Sequence, residues 1–402
     1  MGKILKLGKV LATALVIFSF GINAAQAGPR EQAKRIHDRI AGVPPSETVL
    51  QTMQDQITAG NATQAAFTAM LNPHFYDSTL KNWIMPWTNE EQTYFAPLND
   101  YVATVIGIIR DGIDFREILS GDIIYVADPA LTGIPAYANG NNDHYQALED
   151  QHIDLKANLV QRTQSSVTGL PAEATAGVIT TRAASKAFFV DGTNRAMFRF
   201  TLLNHMCVDL EQIMDNTRAF DRIRQDVSRS PGGDSRIFMN SCSGCHTGMD
   251  SLTGALAYYD YPYTGDFENG ATSYNDVGAV DPDTGTRVKK KYRQNADNFK
   301  FGYPTVDDSW INYWRQGPNA NLGWDAALPG SGNGAKSMGM ELAHSEAFVD
   351  CQVEKVFQNV CLRPPVDAAD RNQIVSMVAS LKSHSYDLKQ TFAESAVYCM
   401  GN

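Results

Sequence analysis

The sequence predicts a mainly α-helical protein in three parts: an N-terminal helical domain, a central region around one Cys-X-X-Cys-His motif, and a C-terminal three-helix unit. Three observations carry this expectation. Apolar residues recur at helical spacing towards both ends of the chain, only 122–127 (DIIYVA) looks like a strand, and 43% hydrophobic with 19% charged residues is the balance of a globular protein.

The first residues place Lys3, Lys6 and Lys9 before an apolar run over 10–20 and end in Ala25-Gln26-Ala27. That pattern reads as a secretory signal peptide, residues 1–27. The apolar run is short for a bilayer span, and no cysteine follows the cleavage site to take a lipid. Cleavage removes three lysines and no acid, so the formal charge goes from −10 to −13. Such an acidic balance excludes a nucleic-acid partner, which needs a basic face. No second apolar run is long enough to span a membrane. The expected mature protein is periplasmic, in a compartment where disulfides form.

Residues 28–232 read as the N-terminal domain. Ala33, Ile36 and Ile40 mark a first helix; after Pro44-Pro45, Ser46 is placed to cap a second carrying Val49, Met53 and Ile57. A third begins near Asn61 with Phe67, Met70 and Leu71, and NDYVATVIGIIRDG is apolar round most of its circumference, as a buried helix is. The stretch 128–184, rich in Gly, Pro, Thr and Asn, reads as loops with a few helical turns. A helix over NRAMFRFTLLNHMCVDLEQIMD and a turn at SRSPGGDSR follow. Beyond the motif, the turn cluster 281–285 suggests a hairpin. Residues 346–402 carry three apolar stripes: Val349, Val353, Val356, Phe357 and Val360; Ile374, Met377, Val378 and Leu381; Leu388, Phe392, Ala396 and Cys399.

Cys242-Ser-Gly-Cys245-His246 is the c-type haem attachment pattern. Cysteines three apart on a helical turn lie on one side, where each can form a thioether with a haem vinyl group, and the adjacent histidine supplies the proximal iron ligand. Asp234 or Ser235 is placed to cap that helix. A zinc site would want a second close pair of ligands, and a thioredoxin-like pair would want a strand in an α/β pattern. Neither is present in the sequence. The motif occurs once, so one covalent haem c is implied, held in a region spanning 233–345.

GTNRAMFRF, RQDVSRSPGGDSR, CSGCHTGMD and the ending from AFVDCQVEKVFQNVCLRPP to YDLKQTFAESAVYC resemble exported proteins with planctomycete-type cytochrome c domains, a family of unknown function. RIAGVPPSE and LNDYVATVIGIIRD are similar to the helical domain that often precedes them. The resemblance implies haem, helices and export, and it is silent on substrate. The expected function is a mono-haem c-type cytochrome carrying electrons to or from a periplasmic redox partner protein. The alternative is a haem-dependent oxidoreductase, an oxidase or peroxidase, since the mature chain is far longer than a carrier domain needs.

The sixth iron ligand decides what such a haem can do. Met340 and Met338, on a Gly-rich approach, are candidates, with His205 and His344 as rivals; each also reads as an ordinary packing or surface residue. The four other cysteines read as two disulfides. On one continuous helix Cys351 and Cys361 are separated by about 15 Å of rise, too far to bond. An up-down-up C-terminal unit favours Cys361–Cys399, which leaves Cys207–Cys351. Arg222, Arg224, Arg229 and Arg236 are candidate haem-propionate partners. Tyr258, Tyr259, Tyr261 and Tyr263 read as aromatic packing or a haem-pocket wall, and Lys289-Lys290-Lys291 as a solvated arm or a docking patch for an acidic partner. The GSGNGAKS stretch, 330–337, departs from a phosphate-binding loop, and Asp281 and Asp283 depart from a calcium loop.

Overall fold

The computed structural model describes residues 27–190, 192–293, 299 and 301–401. The leader expected over 1–27 therefore lies outside them except for Ala27. The protein is mainly helical, with 55% of residues in helices and little strand. No helix among the described residues is long and apolar enough to cross a membrane.

Helices α1 (Pro29–Ala41), α2 (Glu47–Thr58) and α3 (Ala62–Ala69) pack on one another through the apolar positions read from the sequence. Ser46 caps α2 by accepting from the Val49 amide at 3.3 Å, and Gly42 ends α1 at φ 71°, a conformation that favours glycine. Leu71 lies beyond the end of α3 and is exposed, because Ala69 closes the helix before the apolar stripe is complete.

Helix α4 (Asp100–Asp111) runs through the centre and buries ten of its twelve residues, as its all-round apolar pattern requires. Asn99 caps it. Gly107 lets β1 (Ile124–Ala127) close on it, since a Cβ there would stand 2.2 Å from the Tyr125 ring. The buried Asp100 carboxylate accepts from the Arg182 and Ala183 amides at 2.6 and 3.0 Å, tying α4 to the start of a later helix.

The 128–184 stretch carries more structure than its composition suggests. After α5 (Asp143–Asp150), β2 (Leu159–Arg162) pairs antiparallel with β1, Ile124 opposite Arg162 and Ala127 opposite Leu159. LVQR has one apolar residue facing the core, so it forms a strand only because β1 offers a partner. Helices α6 (Arg182–Phe188) and α7 (Arg195–Met206) follow. The helix expected to continue past 206 stops there. Cys207 adopts φ 53° in the left-handed region, and a 3₁₀ turn at Leu210–Ile213 follows, with Asp209 and Gln212 forming a capping box.

Past α8 (Ser243–Leu252), β3 (Tyr259–Asp260) pairs with β4 (Ser273–Tyr274), and β5 (Ser309–Ile311) with β6 (Ser331–Asn333). The expected hairpin at 281–285 is a turn without a ladder. Asp281 Oδ1 accepts from the Asp283 and Thr284 amides, while the following arm bonds to Ala257 and Asn275 instead of pairing with its mate. The strand β6 lies within GSGNGAKS and leads directly into α9 (Gly334–Ala343).

Helices α10 (Glu346–Cys361), α11 (Ala368–Ser383) and α12 (Leu388–Tyr398) pack on one another, and α12 also packs on α1, α3 and α4. One apolar core runs from Ala33 to Ala396, so the two ends of the chain share it. Two disulfides tie that arrangement: Cys361–Cys399 joins the end of α10 to the end of α12, and Cys207–Cys351 joins the end of α7 to the first turns of α10.

The Cys361–Cys399 bond closes a span of 38 residues. On the chain-entropy account, Cys361→Ser with Cys399→Ser lowers unfolding free energy by about 4 kcal/mol, read as a lower denaturant midpoint. An unchanged midpoint would show that packing alone holds these helix ends.

Candidate functional site

The turn at Pro231–Gly233 delivers Asp234, whose side chain accepts from the Arg236 amide at 2.9 Å and caps a helical run beginning at Ser235. Within that run Phe238–Cys242 is π-helical and passes into α8. A one-turn π segment is a local widening of the kind that collects at functional sites, and it immediately precedes the motif.

Cys242 and Cys245 are half-buried and unpaired, whereas the other four cysteines are in disulfides. Burial, then the Glu211 and Asp209 carboxylates, push the Cys245 thiol up to about 11. That is opposite to the low-pKa thiolate on which disulfide exchange and zinc binding depend. Among the described residues no three His, Cys, Asp or Glu side chains converge as a metal-ion site.

His246 directs Nδ1 at Asp250 Oδ1, 2.9 Å away and one helical turn on, and its Nε2 has no hydrogen-bond partner among the described residues. Asp250 has no solvent exposure. Its Oδ1 also accepts from Arg195 Nε at 2.8 Å, and its Oδ2 accepts from the Arg224 amide at 2.9 Å. Arg195 turns its other two nitrogens on Asp226 at 2.7 and 3.0 Å. Burial alone would push the Asp250 carboxyl up; Arg195, and after it His246, overcome that and hold it well below the usual carboxylate range.

The back of α8 is built for close approach. A Cβ on Gly244 would lie 2.5 Å from Asn216 Oδ1, and one on Gly248 would lie 2.0 Å from Trp314 Nε1. Into the space the two glycines leave, the Asp215 amide donates to Gly244 O, and Thr247 Oγ1 donates to Asp215 O. Trp314 is fully buried, and its amide donates to Asn312 Oδ1.

The front is open and apolar. Ile237 and Met239 on the helical run and Phe220 against the Phe238 ring are 40–54% exposed, Met239 most of all at 54%. Two free thiols three residues apart and an adjacent imidazole with Nδ1 engaged and Nε2 uncommitted form a donor set that a covalently held haem would fit.

Met340 is on the outer side of α9 at 38% exposure, Met338 is buried, and His344 stands 3.5 Å from Asp325. His205 is a core histidine: Nε2 bonds the Tyr101 hydroxyl at 2.7 Å, and Trp87 and Phe348 lie against the ring. No hydrogen bond or ring contact among the described residues links any of the four to His246.

Of the four arginines, Arg224 is buried against Thr253, Thr305 and the Tyr292 ring, Arg229 caps backbone carbonyls, and Arg236 pairs with Asp234. Arg222 stacks on Tyr313 beside a cavity of about 210 Å³. Tyr258, Tyr259 and Tyr261 are buried packing residues and Tyr263 is exposed. The lysine run is not a uniformly solvated arm, because Lys291 is buried on Asp260 and Phe189 O. Asp250, Arg195, Gly244, Gly248 and Trp314 escaped the sequence reading. The i,i+4 spacings His246–Asp250 and Gly244–Gly248 were the available signals.

No family model, curated protein or solved structure matches the chain.

Gly248→Ala forces a clash with Trp314, and overpacking of this kind costs about 1–3 kcal/mol. The expected result is a lower denaturant midpoint, with Gly248→Val worse. The His205 environment predicts an acid dependence. Burial, then Lys355, holds its pKa well below the ordinary 6.5, so its neutral form belongs to the fold. The unfolded chain takes up that proton first, and stability falls as pH drops below about 6.5. His205→Phe should flatten the fall in melting temperature between pH 7.5 and 5.5.

Proposed function

We propose that this protein is an exported mono-haem c-type cytochrome that carries electrons between periplasmic partners. The observation that carries the reading is the state of the motif: Cys242 and Cys245 unpaired on a half-open helix face, and His246 presenting Nε2 while Asp250 engages Nδ1. In a chain whose four other cysteines pair, two thiols left free at this spacing call for a thioether partner.

Cys242 and Cys245 would hold the haem and His246 would ligate its iron through Nε2. Bound in this way, haem supplies a reversible one-electron couple. The chain supplies the rest. Asp250 keeps the imidazole from rotating, Gly244 and Gly248 let the surrounding core grip α8, and Met239, Ile237 and Phe220 would provide apolar surface for a flat ring. The disulfides are compatible with the export that haem attachment requires.

A haem oxidoreductase is the second reading, favoured by one observation: a buried carboxylate on Nδ1 strengthens His246 as an electron donor to iron. A low-spin spectrum indifferent to carbon monoxide supports electron transfer; a high-spin spectrum that responds to it supports the enzyme.

Expressed with a c-type haem maturation system, the protein should give a haem-staining band after denaturing electrophoresis, lost in the Cys242→Ala/Cys245→Ala variant. A band that persists in that variant contradicts the assignment.

A further inference from the structure

Asp250 makes more of its position than a helix-surface acid needs to. It has no solvent exposure, and both oxygens are committed: Oδ1 to His246 Nδ1 and Arg195 Nε, Oδ2 to the Arg224 amide. The cation facing it is Arg195, whose charge is in turn met by the bidentate Asp226. Two further cations lie near: Arg224 directs its guanidinium at Thr253 and Thr305 and lies over the Tyr292 ring, and Arg229, which feels both Asp250 and Asp226, donates to backbone carbonyls. Asp250 is thus the anion in direct contact with the imidazole, and Arg195 is the cation bonded to the same oxygen.

Resting on the haem reading, we infer that Asp250 is a positioning residue that fixes His246 for the iron and sets the reduction potential of the bound haem, with Arg195 moderating its charge. A carboxylate accepting from Nδ1–H draws the ring towards imidazolate character and makes Nε2 a stronger donor. A stronger donor favours the oxidised iron and lowers the potential. Arg195 works the other way by drawing charge off the same oxygen. The i,i+4 placement means that the geometry is set by α8 itself, and Gly244 and Gly248 keep α8 seated on the core that holds Arg195.

The test uses the full chain matured with haem: wild type, Asp250→Asn, Asp250→Glu and Arg195→Gln, with the haem-to-protein ratio and the midpoint potential measured on each. Asp250→Asn keeps an acceptor near Nδ1 but removes the charge, and the equilibrium constant for one-electron reduction should rise about tenfold, a shift of about +59 mV. Arg195→Gln should shift the potential downwards, and Asp250→Glu should restore part of the wild-type value. General loosening of the site would move Asp250→Asn and Arg195→Gln in the same direction, so their opposite signs identify charge tuning. Haem-loaded Asp250→Asn with an unchanged potential overturns the inference and leaves the haem reading standing.

If the Asp250 variants fail to fold, proton NMR of the wild-type protein decides. A His246 Nδ1–H that is strongly downfield and slow to exchange supports the inference, and a fast-exchanging one overturns it. A wild-type chain that takes up no haem overturns the reading underneath, which is a different result from a haem protein whose potential ignores Asp250.

Discussion

An ionised carboxylate without solvent contact must be surrounded by donors, and in this protein that requirement falls on Asp250. Meeting it draws three stretches of chain together: α8, which carries Asp250 and His246; α7, which sends Arg195; and the 224–226 segment, which gives an amide and the Asp226 carboxylate. Breaking a buried pair of this kind by removing one partner costs about 3–5 kcal/mol, far more than an exposed ion pair such as Lys290–Asp283 contributes. The network therefore holds the local fold and orients the imidazole through the same bonds.

The two sides of α8 divide the labour. Its back is glycine and hydroxyl, admitting Trp314 and the 214–216 loop to within contact distance. Its front keeps two thiols, an uncommitted Nε2 and several large apolar side chains at the surface. The grip on α8 comes from Trp314, Thr247 and the 214–216 loop, so it does not depend on any bound group. The Cys207–Cys351 bond extends that grip outwards, because α7 carries Arg195 on the site and Cys207 on the disulfide to α10.

Much of this was legible in the sequence, for identifiable reasons. The helices with strict apolar stripes, α1, α2, α4 and α10, stand where 3.6-residue periodicity puts them, because each buries one continuous face or, for α4, all of them. The placement of the motif was legible because three-residue spacing alone sets Cys242 and Cys245 one helical turn apart, with His246 beside them. What escaped depends on tertiary partners. β2 needs β1 before LVQR becomes a strand, the 281–285 turn lacks paired arms because they bond to Ala257 and Asn275, and α7 stops at Cys207, where the chain turns into the left-handed region. Likewise the acidic residue behind His246 was visible at i+4, but its burial, and so its importance, came only with Arg195, distant in sequence.

The central claim is that Cys242 and Cys245 carry a haem on the open face of α8. It is tested most directly by alkylating the unfolded, unreduced protein, after expression with haem maturation, and identifying by mass spectrometry the peptide that contains both cysteines. The account predicts a peptide carrying one haem, with neither cysteine available to the alkylating reagent. Recovery of that peptide with two alkylated cysteines would contradict it.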